Sequence, residues 1–272
     1  MHESVIEIYY FSGTGNSLHV ARQLARRLPE AELIPIARLG RREAITSTAD
    51  AVGLVVPIHA LGLPWPVKRF LERASFKPGS YKFAVTTREC FQTVFTTMDK
   101  LLPRGERFHA CFAFEMPVTY VPVFEVYSED ERARVEREML DHVDRIATIV
   151  SRRAVHRPKD HPGWFVLSHM IYPLVRRWFQ LVRFPNMERS FYANDSCTGC
   201  GTCAQVCLAN KIVMRGGRPA WQPNVRCAYC LACFHYCPSH AIQISGRNTT
   251  RRGRYHHPSV SAADIVAQKR RA

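Results

Sequence analysis

The sequence predicts an α/β protein in two parts: a doubly wound, five-stranded parallel sheet, then a small α+β unit caged by cysteines. Two observations predict it. Over the first half, β-branched and aromatic runs alternate with helical stretches, the pattern of parallel strands joined by crossover helices. In the last third, eight of the ten cysteines fall into two runs of one spacing, Cys197, Cys200, Cys203, Cys207 and Cys227, Cys230, Cys233, Cys237. The 272 residues suit two domains.

Residues 5–11 read as the first strand, which breaks into Ser12-Gly13-Thr14-Gly15-Asn16-Ser17 before a helical run through Leu28. A strand, a small polar loop and a helix start make an anion site, because unpaired N–H groups and the helix dipole face the loop. A Walker A loop would end in Gly-Lys-Ser/Thr, and a dinucleotide fingerprint would need a third glycine where Leu18 stands. What fits is a phosphate monoester; the alternative is an N-capping turn rich in Ser, Thr and Gly. Further strands follow at 32–36, 51–57, 81–87 and 108–116, with a helix over 66–74. A last helix opens at Ser128, where Glu131 completes a capping box. Ligands of such sheets sit outside the carboxyl ends of the strands. Three loops reach that edge, at 12–17, 57–66 and 86–94, and the last two are placed to sandwich a flat ring.

The cysteine runs repeat at an offset of 30 residues that extends to Asn194/Asn224 and Ile212/Ile242. Each reads C-x2-C-x2-C-x3-C, the thiolate run that holds a [4Fe-4S] cluster, and in such repeats the fourth cysteine crosses to the other cluster. Cluster one would take Cys197, Cys200, Cys203 and Cys237; cluster two would take Cys227, Cys230, Cys233 and Cys207. Zinc is the rival, but tetrahedral sites use cysteines in pairs and leave the third of each run without a role. A disulfide framework is disfavoured because Met1-His2-Glu3 leads into the first strand with no basic n-region or long apolar run, so a reducing cytoplasm is expected. Leu208 stands where proline usually follows the fourth cysteine, as Pro238 does in the second run.

With these motifs the chain resembles the flavodoxin–ferredoxin fusions of the EFR type over essentially its whole length. Ser12 to Ser17 resembles the flavodoxin FMN phosphate loop, Val56-Pro57-Ile58-His59 with Gly62-Leu63-Pro64 the family's second loop, and Gly253-Arg254-Tyr255-His256-His257-Pro258 its C-terminal tag. The resemblance implies a flavodoxin-like FMN domain over 1–150, a basic connector over 151–190, a two-[4Fe-4S] ferredoxin domain over 191–246 and a basic tail over 247–272. FMN contacts are expected from Ser12, Gly13, Thr14, Gly15, Asn16, Ser17, Pro57, Ile58, His59, Gly62, Thr86, Thr87, Arg88 and Cys90. Trp65 and Phe91 are further candidates to pack on the ring, with ordinary packing as the alternative, and Cys111 is expected in the core. The function implied is electron relay between FMN and the two clusters. An FMN-dependent reductase of a small molecule such as a quinone is the second reading, and a ferredoxin with a docking module the third.

Charge is uneven. Residues 1–150 balance, whereas the connector carries 8 basic and 2 acidic residues and the tail 7 and 1, most of the formal net +15. An acidic redox protein is therefore the expected partner, with peripheral contact to an anionic membrane as a second role; no nucleic-acid recognition motif accompanies the charge. Within the connector Trp164, Leu167, Ile171, Leu174, Trp178 and Leu181 share one face of a helix whose opposite side carries His169, Arg176, Gln180 and Arg183. Too many charges intrude for a membrane span. Docking of this face between the two domains is expected first, membrane-surface binding second.

Overall fold

The apolar, β-branched runs take extended backbone where expected, and each helix starts where the sequence supplies a break. In chain order the strands of the first part are β1 (Ile6–Tyr10), β2 (Ala31–Pro35), β3 (Ile45–Ser47), β4 (Ala51–Pro57), β5 (Ala74–Phe76), β6 (Tyr81–Thr87) and β7 (Ala110–Phe114). Its helices are α1 (Asn16–Ala25), α2 (Ile36–Leu39), α3 (Trp65–Leu71), α4 (Val94–Leu101) and α5 (Glu129–Ser151). The computed structural model describes residues 5–40, 42–59, 62–87, 94–103, 105–158, 172–178, 181 and 188–270.

Five strands pair in parallel in the order β2-β1-β4-β6-β7. Counting only those five gives 2-1-3-4-5, the flavodoxin-like order, with its switch point between β1 and β4. Every residue of β6 is buried, whereas in the edge strand β2 only Pro35 is buried. Burial on both faces fits the apolar run Phe83-Ala84-Val85 at the centre of β6. β3 and β5 form a second, two-stranded parallel pair that sequence reading did not anticipate. Ala74 was expected to end a helix; instead α3 stops at Leu71 and Ala74–Phe76 extends beside Ile45–Ser47. Ala74 and Phe76 are buried while Ser75 points out, the alternation of a half-buried strand. α5 starts as predicted: Ser128 accepts from the Glu131 amide and the Glu131 carboxylate from the Ser128 amide.

In the second part, β8 (Phe191–Ala193) pairs antiparallel with β11 (Ile242–Ile244), enclosing a hairpin of β9 (Ile212–Arg215) and β10 (Arg218–Trp221). A single helical turn lies in each half, α7 (Thr202–Gln205) and α8 (Ala232–His235). The 30-residue repeat recurs in backbone geometry. Gly199 and Gly201 have φ 74° and 76°, and their counterparts Tyr229 and Leu231 have 54° and 55°. Tyr229 and Leu231 accept a left-handed conformation at a cost of about 1–2 kcal/mol each. Burial of both side chains, 4% exposed, offsets it.

The two parts share a core. Val206, Leu208, Ala228, Ala232 and Tyr236 of the second part join the cluster built on Ile8, Phe11, Leu54 and Phe83 of the sheet. Val260 and Ile265 of the tail, the latter on α9 (Ala262–Ala267), join it too. In the connector, Leu174 and Trp178 of helix α6 (Tyr172–Trp178) and the later Leu181 are 69%, 58% and 64% exposed. Docking of this face between the parts is not what the described residues show. The loops at the carboxyl edge and the tail make that contact instead. Trp164, Leu167, His169, Ile171, Gln180 and Arg183 lie outside the described residues.

Candidate functional site

The eight repeat cysteines fall into two sets by their neighbours. Cys207 lines one cavity with Cys227, Cys230 and Cys233, beside Lys211 and Trp221. On the other side the Cys203 thiol is raised to about 11, first by burial and then by the neighbouring Cys237, Cys197 and Cys200. The Cys230 thiol is pushed up to about 12, and Cys233 well above its ordinary value, chiefly by burial. Buried thiols of this kind lose their protons only to a cation that supplies the compensating charge. Backbone amides face the sulfurs in equivalent pairs: Lys211 N–H donates to Cys207 Sγ at 3.2 Å, and Ala241 N–H to Cys237 Sγ at 3.3 Å.

Among the described residues, the trio of His, Cys, Asp or Glu whose ligand atoms all lie within 4.8 Å of one another is His19, Glu136 and His257. The two sets differ in exposure, since Cys200 is exposed while Cys207, Cys227, Cys230 and Cys233 are buried or half-buried. Hydrogen bonding from Thr202 lowers the Cys200 thiol.

Loop 12–17 sits at the carboxyl end of β1 with Gly15 at φ 98° before α1. Ser12, Thr14, Asn16 and Ser17 are all buried. Ser17 Oγ and Thr87 Oγ1 lie 2.7 Å apart, and Thr86 hydrogen-bonds within the sheet at 3.5 Å. Hydroxyls of Ser12 and Thr14 form no hydrogen bond with another described residue, and with the amides at the start of α1 they are the donors this loop offers an anion. Arg88, Cys90 and Phe91 lie outside the described residues.

The expected ring wall at 57–65 is engaged elsewhere. His59 donates from Nδ1 to Ala228 O at 3.0 Å, and Trp65 from Nε1 to Cys227 O at 3.1 Å. Burial holds His59 down to about 4, so it is a neutral donor rather than a charge beside a ring. Pro57 ends β4, and Gly62 closes a short bridge with His59. Ile58 packs against the shared core, and Cys111 is fully buried in β7, as expected.

No family model matches this sequence, and no curated protein does. Among solved structures, an NAD(P)H:quinone oxidoreductase from Methanothermobacter marburgensis is similar at 12% identity and a TM-score of 0.33, over 58% of this chain and 98% of that one. At that similarity the assignment of the fold rests on the strand order itself.

Sequence reading missed how the tail closes the loop. Gln268, fully buried, donates from Nε2 to Ser12 O at 2.8 Å and accepts from Ser12 N–H at 3.2 Å. His257 N–H donates to Thr14 O at 2.8 Å, and Tyr255 OH reaches Asn16 Oδ1 at 3.2 Å. Behind these contacts, the rings of His19 and His257 stack with centroids 3.7 Å apart. Both Nε2 atoms face Glu136, at 2.9 and 3.3 Å, and both Nδ1 atoms face Ser259 Oγ. In-plane lone pairs of stacked rings run side by side and do not converge on one ion, so this trio is a hydrogen-bonded clasp. The tag at 253–258 was the one sequence signal for it.

Proposed function

We propose that the chain is an electron-transfer protein of the flavodoxin–ferredoxin fusion type, holding two [4Fe-4S] clusters and FMN. The observation that carries the reading is the regrouping of the repeat cysteines, Cys207 with the second run and Cys237 with the first, as a two-cluster ferredoxin requires. Cys197, Cys200, Cys203 and Cys237 would hold cluster one near the surface at Cys200; Cys227, Cys230, Cys233 and Cys207 would hold cluster two against the sheet. Ser12, Thr14 and the amides at the start of α1 would hold the FMN phosphate. When bound, FMN supplies exchange between two-electron and one-electron carriers. Gly13 meets Cys230 with no room between them, so a group seated on this loop lies next to cluster two. Phe191, Trp221 and Leu231 line the cluster-two cavity and exclude water from it. Lys211 lines that cavity and pairs with Glu188 at 2.5 Å, and Glu188 accepts from Cys227 N–H at 2.9 Å, so the pair orders the Cys227 end of the cavity.

Anaerobically purified protein should contain about eight iron and eight acid-labile sulfide per chain. Cys207→Ala should remove the cluster held by Cys227, Cys230 and Cys233 and leave the other. Two zinc per chain without sulfide would overturn the reading, and loss of the first cluster instead would overturn the crossing.

A further inference from the structure

Between α2, α3 and the Leu208–Asn210 segment lies a cleft of about 960 Å3. Arg38, Arg42, Arg69, Arg73 and Lys269 line it, and none of its lining residues is acidic. Among the described residues, the four arginines form no ion pair. Arg73 donates to Arg42 O at 2.9 Å, and the Nε of Arg38 is buried with no hydrogen-bond partner among the described residues. Lys269 reaches Cys207 O and Asn210 Oδ1, both at 3.1 Å, and so closes the cleft against the cluster-two segment. Five cations gathered in a concavity repel one another and raise a positive potential that an anion relieves. An orphaned guanidinium N–H nearby is a donor kept for a ligand.

The rest of the lining narrows the ligand class. Trp65, Phe70, Leu208 and Val225 give an apolar floor, and Asn210 and Gln222 add amide groups beside it. The volume lies at the upper end of small-molecule sites, roughly 300–1,000 Å3, and such a bounded cleft suits a small molecule better than a flat protein contact. We propose that this cleft binds a nucleotide carrying at least two phosphates, with its base over the apolar floor and its phosphates on the arginines. The site is separate from loop 12–17 and from both cysteine sets, so it stands whether or not those bind FMN and clusters.

ADP titrated calorimetrically into the intact full chain should bind, and adenosine should bind at least about tenfold more weakly. Arg38→Gln with Arg69→Gln should weaken ADP by about tenfold or more, with iron and sulfide content unchanged as the control. Arg42→Gln tests the same point at an exposed side chain whose loss does not threaten folding. Absence of ADP binding, equal affinity for adenosine, an unchanged affinity in the arginine variants, or preferential binding of an acidic peptide would each overturn the proposal.

Discussion

Gly13 is a point of close approach between the two parts of the molecule. A Cβ built there would lie 2.4 Å from Cys230 Cβ and 2.5 Å from Cys230 O, so any side chain must push the cluster-two loop away. Gly13→Ala should therefore destabilise the protein by about 1–3 kcal/mol, as overpacking does. The cluster held by Cys230 should be lost before the other on partial unfolding, which cluster-resolved EPR during a urea titration would reveal; equal loss of both would contradict this contact. Thr14→Glu acts in the same loop by charge. A carboxylate at the place proposed for phosphate should abolish FMN binding while iron content stays intact. Equal affinity for riboflavin and FMN in the unmutated protein would show that the loop does not recognise phosphate.

At the scale of elements, α9 and the residues before it act as a strap. Gln268 satisfies both backbone groups of Ser12 in a buried place. Gln268→Ala should leave them unpaired, at about 1–3 kcal/mol for each group, and should speed amide exchange in loop 12–17. The clasp behind it responds to acid. Hydrogen bonds from His19 and His257 hold the Glu136 carboxyl down to about 2 from an ordinary 4.5. A depressed carboxyl contributes stability above its ordinary value and loses it as pH falls through the folded one. Burial first, against the hydrogen bond donated to Glu136, keeps the His257 imidazole below its ordinary value, which acts in the same direction. The stability gap between wild type and Glu136→Gln should thus narrow from about pH 5 to about pH 3; a gap constant across that range would exclude the clasp as its source. α6 invites a different test, since Leu174, Trp178 and Leu181 are exposed beside the exposed Arg177. Vesicles with anionic lipid should bind the chain more tightly than neutral ones, and Trp178→Ala with Leu181→Ala should weaken that binding by about tenfold or more.

Over the whole molecule, the excess positive charge is less free than the sequence implies. Arg254 lies over Phe234 and donates to Phe234 O, His240 O and Ile242 O, so it anchors the tail. Arg252 pairs with Glu125, and Arg22 with Asp264 of α9. Among the described residues, Arg177 and Arg251 are exposed and in no ion pair. If an acidic redox protein is the partner, electron transfer to it should slow as salt shortens the screening length to about 8 Å at physiological strength. Replacement of Arg251 by glutamine should weaken the salt dependence, whereas replacement of Arg254 should instead loosen the tail. Rates independent of salt would exclude a charge-steered partner.

Features set by neighbours in the chain were legible from the sequence alone. The alternation of strand and helix, the break at Ser12–Ser17, the capping box at Ser128 and the doubled cysteine spacing each depend on local backbone geometry or on ligands a few residues apart. The strand order at the β1/β4 switch point follows from them, because right-handed crossovers leave few arrangements open. Contacts between distant segments were not legible. Whether His59 and Trp65 face a ring or the Cys227–Leu231 segment, and whether the tail floats or straps loop 12–17, is decided by which surface buries Val260 and Ile265. The pairing of β3 with β5 depends on how distant segments of the first part pack, and the meeting of Arg38, Arg69 and Lys269 in one cleft on how the two parts dock. Apolar burial drives that docking, and because it is non-directional the partner of each apolar residue is set only when the whole core closes.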